Sequence, residues 1–303
     1  MIKDILNEIL NIIPEDRVCR DEPMNKHTSF RTGGPADCYI RIGSVEELSA
    51  LFNLFNSTGQ EYVVIGNGSN LLFSDRGYRG AVIEILSGMS SLSVEGEKIV
   101  ADAGTLLSKV SDAALKNSLK GFEFASGIPG TVGGAMVMNA GAYGGEMKDI
   151  VLSVRVIDKE GRSVELSNEE MDFGYRKSVI KEKGYIVTQT VFSLEKGEEA
   201  EIESRIRELS GMRREKQPLE FPSAGSTFKR PENNFAGKLI MEAGLSGLKS
   251  GGAKVSEKHC GFIINEGGAT SGDIYSLIKE VQEKVFQSSG IRLEPEVMMI
   301  GEF

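Results

Sequence analysis

The 303-residue chain is poor in cysteine: Cys19, Cys38 and Cys260 are the only three, and no CxxC spacing joins them. An odd, sparse set of this kind gives neither a disulfide framework nor a zinc site, and it suits a reducing compartment. Histidine is scarcer still, with only His27 and His259, and no metal site is expected. No run approaches the ~18 apolar residues of a membrane-spanning helix. Residues 1–14 (MIKDILNEILNIIP) place apolar and charged side chains at helical spacing, without a basic start leading into an apolar core, so no secretory signal is expected. A cytoplasmic protein with no membrane partner follows as the expectation. Basic charge is also short: 35 Lys and Arg face 44 Asp and Glu, a net charge of −9, which argues against a general nucleic-acid binder. Two nucleotide motifs are missing. No GxxxxGK[ST] occurs, which excludes a P-loop hydrolase. Leu71 stands where a GxGxxG starting at Gly66 needs its third glycine, which excludes the Rossmann fingerprint.

What the chain has in excess is glycine, 36 residues gathered in clusters, against a background of roughly 7%. Hydrophobic content of 40% and charged content of 26% are those of an ordinary globular protein, and the length allows two or three packed units. A first helix ends near Pro14, and Val45–Asn56 reads as an amphipathic helix. Two β-branched runs, Tyr62–Ile65 and Ala81–Ile85, flank a loop rich in Gly, Ser and Asn, and Leu106–Leu119 is again helical. This alternation is an α+β or α/β signature. After a glycine-rich stretch at 127–145, Val151–Ile157 and Ser163–Leu166 form a hairpin across a glycine turn, and Tyr185–Leu194 adds a strand. A charged helix over 198–216 leads to Gln217-Pro218, a plausible boundary because proline restricts the residue before it. Two further helices are expected near 235–243 and 272–287, the second with Thr270-Ser271 supplying an N-cap hydroxyl and Asp273 in its first turn.

Two glycine loops carry the chemistry that the residues alone suggest. Ile65-Gly66-Asn67-Gly68-Ser69-Asn70 follows a strand directly, and Gly127-Ile128-Pro129-Gly130-Thr131-Val132-Gly133-Gly134 lies some sixty residues later. Without a Cβ in the way, backbone N–H groups converge on an anion, and hydroxyl and amide side chains add neutral donors. Either loop alone is as often structural as functional; the pair favours the pyrophosphate of a dinucleotide.

Six segments then resemble one family in sequence order, from about residue 25 to the end. They are His27-Thr28-Ser29-Phe30-Arg31-Thr32-Gly33-Gly34-Pro35-Ala36, the IGNGSNLL loop, the GIPGTVGGAMVMNAGAYG run, Phe173-Gly174-Tyr175-Arg176-Lys177-Ser178, Ala224-Gly225-Ser226-Thr227-Phe228-Lys229, and Leu293-Glu294-Pro295-Glu296-Val297. Together they resemble the UDP-N-acetylenolpyruvoylglucosamine reductase family. The resemblance implies an α+β fold of the vanillyl-alcohol-oxidase (PCMH) FAD-binding type: subdomains 1–85 and 86–205 for the flavin, and a C-terminal α+β substrate domain, 206–303. It implies non-covalent FAD held by residues 65–70 and 127–134 with Asn139 and Gly141 near the flavin, NADPH as the reductant, a nucleotide-sugar substrate and a monomeric enzyme. About fifty residues separate Arg176 from Ser226, a spacing that looks like the family's short, type II form, whose substrate lid is built without the longer insertion of type I.

In the reaction so implied, NADPH reduces the flavin, flavin N5 delivers hydride to C3 of the enolpyruvyl group, and a carbanion at C2 delocalises into the carboxylate. Such chemistry asks for positive charge at the carboxylate and an acid beside C2. Arg176 matches the first need, through a planar guanidinium that can grip a carboxylate with two hydrogen bonds. Ser226 matches the second as proton donor, Lys229 would support it, and Glu296, not Glu294, matches the family's catalytic glutamate. Tyr175, Arg213 and Lys216 fall where substrate contacts are expected. On residue type alone these positions also read as an ion pair, turn chemistry, a strand-end acid and a solvated helix face. An FAD oxidase of the same fold acting on an alcohol or sugar is the rival enzyme, and a binding module with a decayed flavin site the rival non-enzyme.

Overall fold

A computed structural model describes residues 2–303. Two compact units are formed. The first comprises the chain up to Arg20, Cys38–Asn67 and Gly80–Met212; the second comprises Asp21–Asp37, Gly68–Arg79 and Arg213–Phe303.

In the first unit the helix Val45–Thr58 begins where Ser44 accepts the N–H of Glu47 at 3.2 Å. Its Leu48, Leu51, Phe52 and Phe55 are buried, the three- and four-residue spacing of a single apolar stripe. The strand Tyr62–Ile65 pairs in parallel with Tyr78–Glu84, Ile65 opposite Glu84. A five-stranded antiparallel sheet runs in the order Ser163–Ser167, Val151–Ile157, Ile186–Ser193, Lys98–Asp102, Leu92–Glu95. Its expected hairpin closes over Asp158, whose carboxylate accepts the N–H groups of Glu160 at 3.0 Å and Arg162 at 2.8 Å.

Two expectations change here. The helix expected over 106–119 spans Leu107–Lys116, because Ser118 takes φ +53° and Leu119–Lys120 turns into a short strand against Glu195–Lys196. The glycine-rich stretch is not all loop: Val132–Met138 is helical, with the Thr131 hydroxyl accepting the Gly134 N–H at 3.3 Å. Glycine disfavours a helix interior by about 1 kcal/mol each, but Val132, Ala135 and Met136 are buried and the helix packs on the strand Ile186–Ser193. Tertiary packing outweighs the local preference.

The second unit packs the helix Ser271–Ser289 on a three-stranded antiparallel sheet, Lys249–Ser250, Ala253–Val255 and Ile263–Asn265. Ile274, Leu277, Ile278, Val281 and Val285 are its buried stripe. The N-cap expected at Thr270 is present as a reciprocal capping box: Thr270 accepts the Asp273 N–H, and Asp273 accepts that of Thr270, both at 3.0 Å. Asp75 takes the next two N–H groups, of Ser271 at 2.8 Å and Gly272 at 2.7 Å, placing a carboxylate at the positive end of the helix dipole. The short helix Ala236–Glu242 packs beside it, and Leu71–Phe73 pairs in parallel with Met298–Ile300. No helix among the described residues is long and apolar enough to cross a membrane.

Candidate functional site

In the first unit the two glycine segments meet. Asn67 Nδ2 donates to the carbonyl of Pro129 at 2.8 Å. A Cβ on Gly66 would lie 2.3 Å from Thr131 Oγ1, so only a bare backbone lets the segments approach this closely. The N–H groups of Val132 and Gly133 go to the carbonyls of Thr105 and Ala103, both at 2.8 Å, that of Ile128 goes to Ala125, and that of Gly134 goes to Thr131. An anion cradle built here therefore draws on other N–H groups of the two loops. The remaining part of the first loop belongs to the second unit. There Gly68 accepts the N–H of Ser29 at 3.1 Å, and Asn70 Nδ2 donates to the carbonyl of Glu296 at 3.1 Å.

A second cluster in the first unit surrounds Arg176. Gly174 and Lys177 exchange main-chain hydrogen bonds at 2.9 and 3.2 Å around a two-residue turn, Tyr175-Arg176. Arg176 holds φ +53° in that turn, a conformation that glycine fills at less cost. Ser178, last residue of the motif, donates its hydroxyl to Val137 O at 3.0 Å and ties the turn to the helix Val132–Met138. The half-buried Arg176 points Nη2 at the carbonyl of Gly141, 3.4 Å away, and its guanidinium carbon lies 5.3 Å from the ring centre of Tyr175, itself exposed. Asn139 is buried, and its amide bonds to Glu146, Gly174 and Lys148. Thus Asn139, Gly141, Tyr175 and Arg176 come together. Glu146 joins them unforeseen; its sequence signal is the Glu146-x-x-Asp149 capping box.

In the second unit Ser226 and Glu296 are brought close by the residue between them, Thr227. Its N–H goes to Gly261 O at 2.8 Å, its carbonyl accepts the N–H of Glu296 at 2.8 Å, and its hydroxyl accepts that of Ile263 at 3.0 Å. Thr227 is completely buried, and its position beside a serine in a turn-like segment concealed that role. Lys229 pairs with Glu294 at 3.2 Å and donates its N–H to the Glu294 carbonyl at 2.8 Å. Arg213 Nε bonds Gln217 Oε1 at 2.9 Å, and Lys216 is exposed at the end of the helix Glu199–Lys216. His259 is a packed residue: Nδ1 accepts the Gly261 N–H at 3.1 Å, the ring meets Phe262 edge-on, and burial pushes its pKa down from 6.5. His27 Nε2 lies 3.0 Å from Glu22.

Two family models match separate stretches of the chain. A family described as an FAD binding domain matches residues 36–167, and one described as the C-terminal domain of UDP-N-acetylenolpyruvoylglucosamine reductase matches residues 217–300. The UDP-N-acetylenolpyruvoylglucosamine reductase of Clostridioides difficile (strain 630) is 52% identical over 300 residues, covering 99% of each chain. That of Caldanaerobacter subterraneus subsp. tengcongensis is 50% identical over 302 residues, covering all of both. The crystal structure of the Thermus caldophilus reductase superposes with a TM-score of 0.83 at 37% identity, covering 94% of this chain and 99% of that one. Phl p 4.0202, a glucose dehydrogenase, shares the fold alone, with a TM-score of 0.52 at 18% identity over 65% of this chain. The expected α+β flavin-binding class is borne out, and the chain belongs to the UDP-N-acetylenolpyruvoylglucosamine reductase family.

Proposed function

We propose that this protein reduces UDP-N-acetyl-3-O-(1-carboxyvinyl)glucosamine to UDP-N-acetylmuramate with FAD and NADPH, a step of peptidoglycan precursor synthesis, as a monomer in the cytoplasm. The observation that carries the reading is the 52% identity to a named reductase over 99% of both chains, which includes the flavin-binding portion and the C-terminal portion together. FAD is the cofactor of the flavin-binding domain matched over residues 36–167, and within it the segments at Gly66 and Thr131 pack so closely that a Cβ at Gly66 would collide with Thr131. Ile65–Asn70, Gly127–Gly134, Asn139 and Gly141 are the residues assigned to it, within parts 1–85 and 86–205, with 206–303 assigned to the substrate. When bound, the flavin supplies two-electron transfer from NADPH to C3 of the enolpyruvyl group.

The chain's own residues supply binding and protons. Arg176 grips the substrate carboxylate and stabilises the negative charge that develops there as C2 becomes electron-rich. A guanidinium on a braced turn needs little reorganisation when that charge appears, which supports this role. Ser226 gives its proton to C2. Thr227 fixes the backbone beside it, and Glu296, held by the same threonine, orients or shares the proton at the carboxylate. Tyr175 and Lys229 contact the substrate; Arg213 and Lys216 meet its diphosphate. Glu294 pairs with Lys229, and Glu296 is the acid that the family motif assigns to the chemistry. The test is anaerobic turnover: NADPH consumption must require the enolpyruvyl substrate, and the product must have gained two hydrogens. Consumption beyond one equivalent of the flavin without the substrate, or an alcohol or sugar oxidised at the expense of O2, would overturn the reading.

A further inference from the structure

We propose that Asn139 is a positioning residue for Arg176, its buried amide setting where the guanidinium stands when it grips the substrate. The inference rests on the carboxylate-binding role proposed for Arg176 and adds a residue that acts through it.

Asn139 closes the helix Val132–Met138 at φ +41° and is 1% exposed. A left-handed residue at this place is usually glycine, because the helix needs only its backbone. Here the side chain is in full use. Nδ2 has two hydrogens and two acceptors, Glu146 Oε2 and the carbonyl of Gly174, each at 3.0 Å; Oδ1 accepts the N–H of Lys148 at 2.9 Å. Gly174 opens the turn that carries Arg176. Glu146 pairs with Gly141 in the short hairpin whose Gly141 carbonyl faces Arg176 Nη2. Both walls against which the guanidinium is placed thus hang on one amide.

The surroundings leave little slack. A Cβ on Gly141 would lie 2.8 Å from Glu146 Cγ and 2.7 Å from the Gly145 carbonyl, so the hairpin closes directly on the Glu146 side chain. Lys148 Nζ holds the same Glu146 oxygen at 2.9 Å, and Asp149 completes a capping box with Glu146. An amide suits this place, since a donor must face a carboxylate on one side and a carbonyl on the other. An aspartate would turn an acceptor toward both, and buried acceptors that face one another are costly.

A plain helix cap and a positioning residue answer substitution differently. Asn139→Gly keeps the left-handed backbone and removes only the amide, so a cap alone would tolerate it. With the holoprotein, substrate Kd from calorimetry on the oxidised form and kcat/KM from turnover are measured for wild type, Asn139→Gly, Arg176→Ala and the double variant. Displacing a reacting or binding group by about 1 Å costs on the order of 10²-fold. Asn139→Gly is expected to weaken Kd and kcat/KM by about tenfold or more toward that limit, and to cost nearly nothing further once Arg176 is alanine. Wild-type affinity in Asn139→Gly, or an equal loss with and without Arg176, would overturn the inference. If Asn139→Gly fails to fold, Glu146→Ala removes one arm of the clamp and carries the same comparison, with a smaller loss expected that again disappears in the Arg176→Ala background. A wild type that does not bind the substrate, or an Arg176→Ala without effect, would instead overturn the proposed role of Arg176.

Discussion

Arg176 stands on a two-residue turn at φ +53° that buried side chains, Asn139 and Ser178, tie down. Ser226 stands beside Thr227, whose own N–H and carbonyl make the ties to Gly261 and Glu296. The first unit places a long, flexible cation on a turn held by side-chain bonds to main-chain carbonyls, Asn139 to Gly174 and Ser178 to Val137, with the guanidinium itself facing the carbonyl of Gly141. The second unit places a short hydroxyl, and main-chain bonds one residue away are enough. If Arg176 grips the carboxylate and Ser226 gives the proton, as proposed, the first role is vulnerable at many positions and the second at few.

The largest expected effect belongs to the short residue. Ser226→Ala should leave reduction of the flavin by NADPH near the wild-type rate and slow reoxidation by the enolpyruvyl substrate by ~10²–10⁴-fold, the usual contribution of a positioned proton transfer. Stopped-flow flavin absorbance reads the two half-reactions apart; reoxidation at the normal rate would remove Ser226 as the acid. Arg176→Lys comes next. Lysine keeps the charge and loses the two-pronged hydrogen bond, so a loss of about 1.5–3 kcal/mol in substrate binding, or roughly 10–10²-fold in kcat/KM, is expected. Tolerance of lysine would mean that charge alone is needed, and the contrast between turn and loop would weaken.

Thr227→Val tests the other side of the comparison. The Ile263 N–H would lose its buried acceptor, which costs about 1–3 kcal/mol of stability, so the melting temperature should fall. Activity at permissive temperature should change only a few-fold, because the main-chain bonds of residue 227 survive the substitution. The smallest effect concerns pH. Both histidines lie in the second unit, and burial holds His259 below 6.5. Because its folded value is the lower one, the unfolded chain takes up the proton first: stability is full above about 6.5 and falls as pH drops below it. Amide exchange protection in the helix Ser271–Ser289 should therefore decline as pH falls below about 6.5, where His259→Gln should flatten the profile. A slope that persists in the variant would assign it to another group.

Much of this was legible from residue order. The strand Tyr62–Ile65, the helix over 45–58, the hairpin across Asp158 and the cap at Thr270 follow from local patterns and appear within a few residues of where they are read. The helix Val132–Met138 does not, because its glycines speak against it and only packing on the distant strand Ile186–Ser193 decides the matter. The clamp around Asn139 is hidden for a similar reason. Its partners at 146, 148 and 174 are brought together by the hairpin and the turn, and neither leaves a short motif that names them. The Lys229–Glu294 pair, 65 residues apart in sequence, is likewise a product of the fold.

The most direct measurement of the central claim is an anaerobic spectrum of the purified flavoprotein through two additions. The account predicts that NADPH bleaches the flavin bands and that UDP-N-acetyl-3-O-(1-carboxyvinyl)glucosamine then restores them, with UDP-N-acetylmuramate formed in equal amount. A protein that binds no flavin, or whose bleached flavin recovers only when oxygen is admitted, would contradict it.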